Sequence, residues 1–159
     1  MKYRIGYGFD VHQLEKGKPL YLGGIKIPSP YGAVGHSDAD VLIHAICDAL
    51  LGAASLGDIG THFPNTSEEF KGIDSKILLS KVIVLISENG YSVGNIDSTV
   101  ILESPKIVPH VNEMKQTLSK VMGIAEDCIS IKATTNEKMG YVGRKEGISA
   151  HAVALLEKK

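Results

Sequence analysis

Asp10 and His12 stand one residue apart in GFDVHQL, inside a stretch of alternating, β-rich residues. In a strand, side chains two apart share a face with their Cα atoms about 7 Å apart, so this carboxylate and this imidazole converge. Such a pair is a surface couple, a hydrogen-bonded histidine in a core, or two ligands of one ion. A second segment bears on the choice. VLIHAICDALLGAASLG is almost wholly apolar, yet Asp40, His44 and Asp48 recur at spacings of four, along one stripe of a helix. Burying unpaired charge is costly, so the stripe either meets a partner or faces solvent along the helix's outer edge. With a partner, Asp10, His12 and His44 form a His2Asp set with an open fourth position, the ligand number of a catalytic rather than a structural zinc. Asp40 or Asp48 then orients His44 by accepting from its outer nitrogen. Cys47, one residue off the stripe, reads as core.

Other residues carry weaker signals. His36 and Ser37, in GHSDAD just before the helix, suit a phosphate held at a helix N-terminus; the alternative is that Ser37 and Asp38 are simply N-cap residues. Asp58 and Gly60 open a long irregular stretch and also fit plain turn chemistry. KATTNEKMGYVGRKEG gathers Lys132, Thr134, Thr135, Glu137, Lys138 and Arg144 among glycines. Hydroxyls, cations and a carboxylate together suit a metal-bridged phosphate ester, or a solvated loop. Lys106 in SPKIVPH reads equally as part of a strand-to-helix turn. His62, His110 and His151 have no second ligand spaced near them and read as structural or exposed.

The elements that must position these residues follow from periodicity. Strands are predicted over 2–11 and over 19–28, the second interrupted at Gly23 and Gly24. N-cap residues in HSDAD precede a helix over 41–57. A loop runs over 58–73, longer than an idle connection usually is. A helix over 74–90 is capped by Asp74 or Ser75 and ended by Gly90. A strand over 95–104 and a helix over 109–123 follow, then strands over 128–135 and 147–158 separated by NEKMGYVGRKE. The order β-β-α-α-β-α-β-β predicts an α+β fold: a single domain over 1–159, a two-layer sandwich of one mixed β-sheet with helices on one face.

The 159 residues are enough to bury a core. A net charge of −1 provides no global attraction for nucleic acid or an anionic membrane, so any phosphate must be held by local donors. Cys47 and Cys128 lack CxxC spacing and read as free thiols in a reducing, cytoplasmic compartment. The first residues run straight into a strand, which predicts no leader peptide, and no segment has the length of a membrane span.

Five ordered blocks, GFDVHQL, GHSDADVLIHAICDALLGAASLGDIGTHFP, FKGIDS, LESPKIVPH and KATTNEKMGYVGRKEGI, closely resemble the 2-C-methyl-D-erythritol 2,4-cyclodiphosphate synthase family of the non-mevalonate isoprenoid pathway. The resemblance runs over essentially the whole chain. It implies a homotrimer with active sites between neighbouring subunits and a lyase reaction. In that reaction the 2-phosphate of 4-diphosphocytidyl-2-C-methyl-D-erythritol 2-phosphate attacks the β-phosphorus, CMP leaves, and a cyclic diphosphate forms. On the matching positions, Asp10, His12 and His44 would bind Zn2+, and Glu137 a Mg2+ or Mn2+ bridging the α- and β-phosphates. His36 and Thr135 would be catalytic. His36, Ser37, Asp58, Ile59, Gly60, Phe63 and Asn65 would hold the phosphate and the methylerythritol. Leu102, Lys106, Ile107, Val108, Ala133, Thr134 and Thr135 would form the cytidine and diphosphate pocket, with Tyr141 also touching substrate. Arg144 would line the trimer axis, where the family can take an isoprenoid diphosphate. Asn65 stands where the family usually has aspartate, keeping an acceptor but losing the charge, and Tyr141 stands where phenylalanine is frequent. The nucleophile is already on the substrate, so no Ser–His or Cys–His dyad is required, and none is evident. Two rival classes are a zinc hydrolase, which would leave a linear diphosphate, and a non-catalytic module that binds cytidine nucleotides or isoprenoid diphosphates.

Overall fold

Small and large residues alternate along the first strand, and that alternation sets the architecture. In the computed structural model, which describes residues 1–64 and 66–159, β1 spans Tyr3–Lys16; the proposed contact at Asn65 falls outside the described residues. Gly6 and Gly8 face inward. A Cβ on Gly8 would lie 1.9 Å from the Ala45 carbonyl oxygen, and one on Gly6 equally close to that of Ala49. Only glycine lets the strand come this near the helix backbone. Asp10 and His12, the next residues on that face, are thereby carried to the first turn of the helix, where His44 stands. Ile5, Tyr7, Phe9 and Val11 point the other way and are exposed.

The remaining elements follow in chain order: β2 (Leu20–Leu22), β3 (Ile25–Ile27), β4 (Tyr31–Val34), α1 (Val41–Ala54), α2 (Ile59–His62), α3 (Ser75–Glu88), β5 (Tyr91–Ile101), α4 (Val111–Met122), β6 (Ile129–Thr134), α5 (Gly140–Gly143) and β7 (Gly147–Lys158). One five-stranded sheet has the order β4-β1-β7-β5-β6, and β2 and β3 form a separate hairpin. Only β5 and β6 pair in parallel, with α4 in the crossover that a parallel pair requires. The core lies between the inner face of the sheet and the helices: Ala150, Ala152, Ala154 and Leu156 of β7 are buried on the same side as Val100 and Ile96 of β5. This is the mixed α+β architecture expected. Among the described residues no helix is long and apolar enough to cross a membrane.

Several boundaries differ from the expectation. The first strand runs beyond residue 11, so His12 sits in mid-strand opposite Ile148. The segment 19–28 is not one interrupted strand but a hairpin folded at Gly23 and Gly24, both at positive φ (60° and 81°), a conformation glycine adopts without penalty. Strand β4 is unannounced, because four residues carry too little alternation to register. The loop after α1 holds α2 and a 3-10 turn at Glu68–Phe70, and the segment 136–146 holds α5. β5 begins at Tyr91 rather than 95, with a bulge between Val93 and Asn95.

Candidate functional site

Three ligand atoms, one each from Asp10, His12 and His44, lie within 4.8 Å of one another. Asp10 Oδ2 is 2.9 Å from His12 Nε2 and 3.1 Å from His44 Nδ1, and the two ring nitrogens are 3.2 Å apart. The outer nitrogen of each ring is engaged elsewhere. His12 Nδ1 donates to the Val34 carbonyl at 3.0 Å, from strand β4. His44 Nε2 meets the Ser75 hydroxyl at 2.9 Å and that of Ser37 at 3.1 Å. With each outer nitrogen donating its N–H to an oxygen, two inner lone pairs and a carboxylate oxygen point at one place. Only protons or a cation make that favourable. Burial pushes the Asp10 carboxyl up, but hydrogen bonds with His12 and then His44, and their charges, outweigh it and hold it at about 2. Burial pushes His12 down, yet its hydrogen bond and charge pairing with Asp10 carry it above the ordinary imidazole value. Two nitrogens and one oxygen, largely shielded from solvent, suit a borderline-soft divalent ion with a position left open.

The carboxylates expected to orient His44 do not. Asp40 is fully buried and caps α1: it accepts from the N–H groups of Ile43 and Gly23, each at 3.0 Å, and of Gly24 at 2.7 Å. It thus pins the β2–β3 turn to the helix. Asp48 accepts from the Ile59 N–H at 2.8 Å and holds the start of α2. Burial pushes both carboxyls up, the backbone donors partly offsetting this. Stripe geometry identifies which residues share a side of the helix, but an aspartate rotamer follows the nearest N–H donors. Serine hydroxyls take the role instead.

A cavity of about 330 Å³ surrounds the triad. Its walls include His36, Ser37, Asp48, Ile59, Gly60 and Phe63, so most of the first group of sequence candidates does converge. His36 Nε2 bonds the Ser67 carbonyl at 3.0 Å. Asp58 caps α2, accepting from the N–H and hydroxyl of Thr61, which draw its carboxyl below the usual range. Phe63 packs edge-on against Phe70 with ring centres 5.5 Å apart. Cys47 is buried core, its thiol pushed well up by burial.

The second group of candidates lines a different cavity, of about 370 Å³, with no wall residue in common with the first. It is built from Leu102, Lys106, Ile107, Val108, Ala133, Thr134 and Thr135, joined by Val100, Glu103 and Pro105. Glu137, Tyr141 and Arg144 line neither cavity. Glu137 sits exposed in a left-handed turn (φ 51°), its N–H on the Thr135 hydroxyl at 3.3 Å. Tyr141 lies beside Gly147. Arg144 makes a two-pronged pair with Glu146, both contacts at 3.0 Å.

Residues 3–157 match the YgbB family. The chain belongs to that family. This family member is 59% identical over 158 residues to the 2-C-methyl-D-erythritol 2,4-cyclodiphosphate synthase of Bacteroides thetaiotaomicron, covering 99% of each chain. Among solved structures it is similar to Plasmodium falciparum IspF in complex with CDP, with a TM-score of 0.87, 38% identity and coverage of 99% and 97%. It is also similar to the bifunctional IspDF of Campylobacter jejuni, with a TM-score of 0.96 and 39% identity. The alignment covers 99% of this chain and 43% of that one.

Sequence reasoning missed Val34, Asp38, Ser75 and Glu103 in this family member. Glu103 accepts from the N–H groups of Asn136 at 2.9 Å and Lys138 at 3.1 Å, fixing the turn that carries Glu137. Asp38 and Ser75 signal only as helix caps and Val34 and Glu103 not at all, because the role of each here lies with a partner more than twenty residues away.

Proposed function

We propose that this chain converts 4-diphosphocytidyl-2-C-methyl-D-erythritol 2-phosphate to 2-C-methyl-D-erythritol 2,4-cyclodiphosphate. An oxygen of the 2-phosphate bonds to the β-phosphorus, the bond from that phosphorus to the α-phosphate oxygen breaks, and CMP carries the electron pair away. The observation that carries the reading is the convergence of Asp10, His12 and His44 in a cavity, in a member of a family whose relatives bear this activity in their name. Zinc held by these three residues would polarise the β-phosphate and offset its charge. His36 and Ser37, on the wall of the same cavity, orient phosphate oxygens, and His36 steadies the charge that develops on them. Asp58, Ile59, Gly60 and Phe63 enclose the methylerythritol, with Asn65 as a further contact. Leu102, Lys106, Ile107, Val108, Ala133 and Thr134 receive the cytidine and diphosphate; Thr135 holds the phosphate at the reacting centre, and Tyr141 adds a contact. Glu137 would ligate a Mg2+ or Mn2+, which would supply positive charge beside the diphosphate. Catalysis then rests on folding the substrate back on itself beside fixed charges.

The reading extends to a cytoplasmic homotrimer with sites shared between subunits. Each cavity is near the small end of the ligand-site range of about 300–1,000 Å³, which favours a substrate bridging two of them. The sheet's outer face supports an interface: Ile5 is 73% and Tyr7 61% exposed, alongside Phe9, Val11 and Val153. Arg144, tied to Glu146, would meet an isoprenoid diphosphate on the axis only by exchanging that partner.

Phosphorus NMR of the protein with substrate and Mg2+ tests the reaction. CMP together with a cyclic diphosphate is expected. A linear diphosphate would mean hydrolysis, and unchanged substrate a binding module.

A further inference from the structure

His44 is held at both nitrogens, and what holds the outer one is a chain of hydrogen bonds with a fixed direction. Ser75 is the first residue of α3 and completely buried. Its hydroxyl donates to Asp38 Oδ1, its backbone N–H donates to Asp38 Oδ2 at 3.0 Å, and its oxygen meets His44 Nε2 at 2.9 Å. Asp38 is itself tied down. Its N–H donates to the Ile73 carbonyl at 3.1 Å, and its Oδ1 also accepts from the Asp40 N–H at 3.2 Å. The chain passes through a left-handed residue, Ala39 (φ 58°), between the two aspartates.

Both Asp38 oxygens are acceptors of backbone N–H groups, Oδ2 from Ser75 and Oδ1 from Asp40. The Ser75 hydroxyl proton is therefore committed to Asp38, and the Ser75 oxygen is left to accept. His44 Nε2 must then carry the ring proton, which leaves the lone pair on Nδ1, the nitrogen 3.1 Å from Asp10 Oδ2. The Ser37 hydroxyl, 3.1 Å from the same Nε2, does not reverse this order: were it to donate to a bare Nε2, the Ser75 oxygen 2.9 Å away would face a lone pair. We infer that Ser75 and Asp38 are positioning residues for the metal centre: Asp38 orients Ser75, and Ser75 fixes His44 in the tautomer and ring orientation that present Nδ1 beside Asp10 and His12. The inference rests on the triad being a metal site, as in the proposed function. Neither residue lines the cavity.

Zinc affinity, measured on the whole protein by competition with a chromophoric chelator and without substrate, tests it. Ser75→Ala should weaken zinc binding about 10- to 100-fold, the range for partners that orient a metal-ligating histidine. Ser75→Thr keeps the hydroxyl and should restore affinity to within a few-fold. Asp38→Asn is the sharper variant. The Asn oxygen can serve the Ser75 N–H or its hydroxyl, but not both. When the amide faces the hydroxyl, the order reverses and Nδ1 is protonated, so affinity should fall at least as far as in Ser75→Ala. The zinc-loaded wild type should also show a slowly exchanging His44 Nε2 proton by NMR, lost in Ser75→Ala. That readout needs no stable Asp38 variant. If Ser75 merely starts helix α3, Ser75→Ala lowers Tm and leaves zinc affinity unchanged, which overturns the inference, as does a wild type that binds no zinc. Failure of cyclisation with the Ser75 dependence of zinc affinity intact would sink the proposed reaction and leave the positioning role standing.

Discussion

The two cavities are built on opposite plans. Around Asp10, His12 and His44 the side chains do the shaping, and each ionisable group is tied to a defined partner: Asp10 to both rings, His12 to Val34, His44 to Ser75, Asp48 to Ile59. The cavity at the ends of β5 and β6 is lined mainly by apolar side chains and two threonines, with Glu103 and Lys106 as its charged members. The first plan fixes point charges to within fractions of an ångström, which suits an ion and a reacting phosphate. The second offers mostly apolar side chains with two threonine hydroxyls, one lysine and one glutamate, the mix of a mainly apolar ligand pocket with a few polar groups. Sensitivity to substitution should differ accordingly, because a charge fixed by defined partners is harder to replace than an apolar contact.

His44→Ala should produce the largest effect. Removing one of three ligands leaves too few to hold a catalytic zinc, so metal content by elemental analysis and CMP release should both vanish. Full turnover by a zinc-free variant would erase the distinction between the cavities.

Mixing variants asks whether the two plans meet in one chain or across two. His44→Ala and Thr135→Ala should each be nearly inactive. Dissociated and reassembled in equal amounts, they should regain about a quarter of wild-type activity. That is the share of intact sites in randomly assembled cyclic trimers when neighbouring subunits each supply one cavity. Mixtures with proven subunit exchange that stay inactive would place both cavities' work within a single chain.

Asp40→Asn tests the frame behind the first cavity. The amide cannot accept at both oxygens, so at least one of the N–H groups of Gly23, Gly24 and Ile43 loses its partner. Leaving a buried donor unmet costs about 1–3 kcal/mol, and a fall of that size should appear in chemical denaturation. An unchanged midpoint would show that Asp40 is already protonated and its cap weak.

The smallest effect should come from the rim of the second cavity, away from Thr135. Lys106 is exposed at its rim, and Lys106→Ala should raise KM by about tenfold or less, with kcat nearly unchanged. A contact made equally to substrate and transition state acts that way. A large fall in kcat would mean that Lys106, too, acts on the reacting centre.

Much of the site was legible before any coordinates. The period-2 pattern around Asp10 and His12 and the period-4 stripe through His44 follow from backbone geometry, which local sequence controls. Those two patterns bring Asp10, His12 and His44 forward as one candidate ligand set. The apolar length of α1, the glycines that end α3 and α4, and the alternation of β7 similarly determined the order of elements and the α+β class. Tertiary structure decided what each of these side chains meets. Asp40 and Asp48 share the His44 stripe, yet one caps the helix and the other holds α2, because side-chain rotamers answer to donors brought close by chain folding. Val34 on a four-residue strand, and Ser75 with Asp38, engage the outer nitrogens of the histidines from 22 and 31 residues away. Periodicity is a property of neighbours along the chain, whereas a hydrogen bond depends only on distance and direction in space. No local pattern could announce these partners.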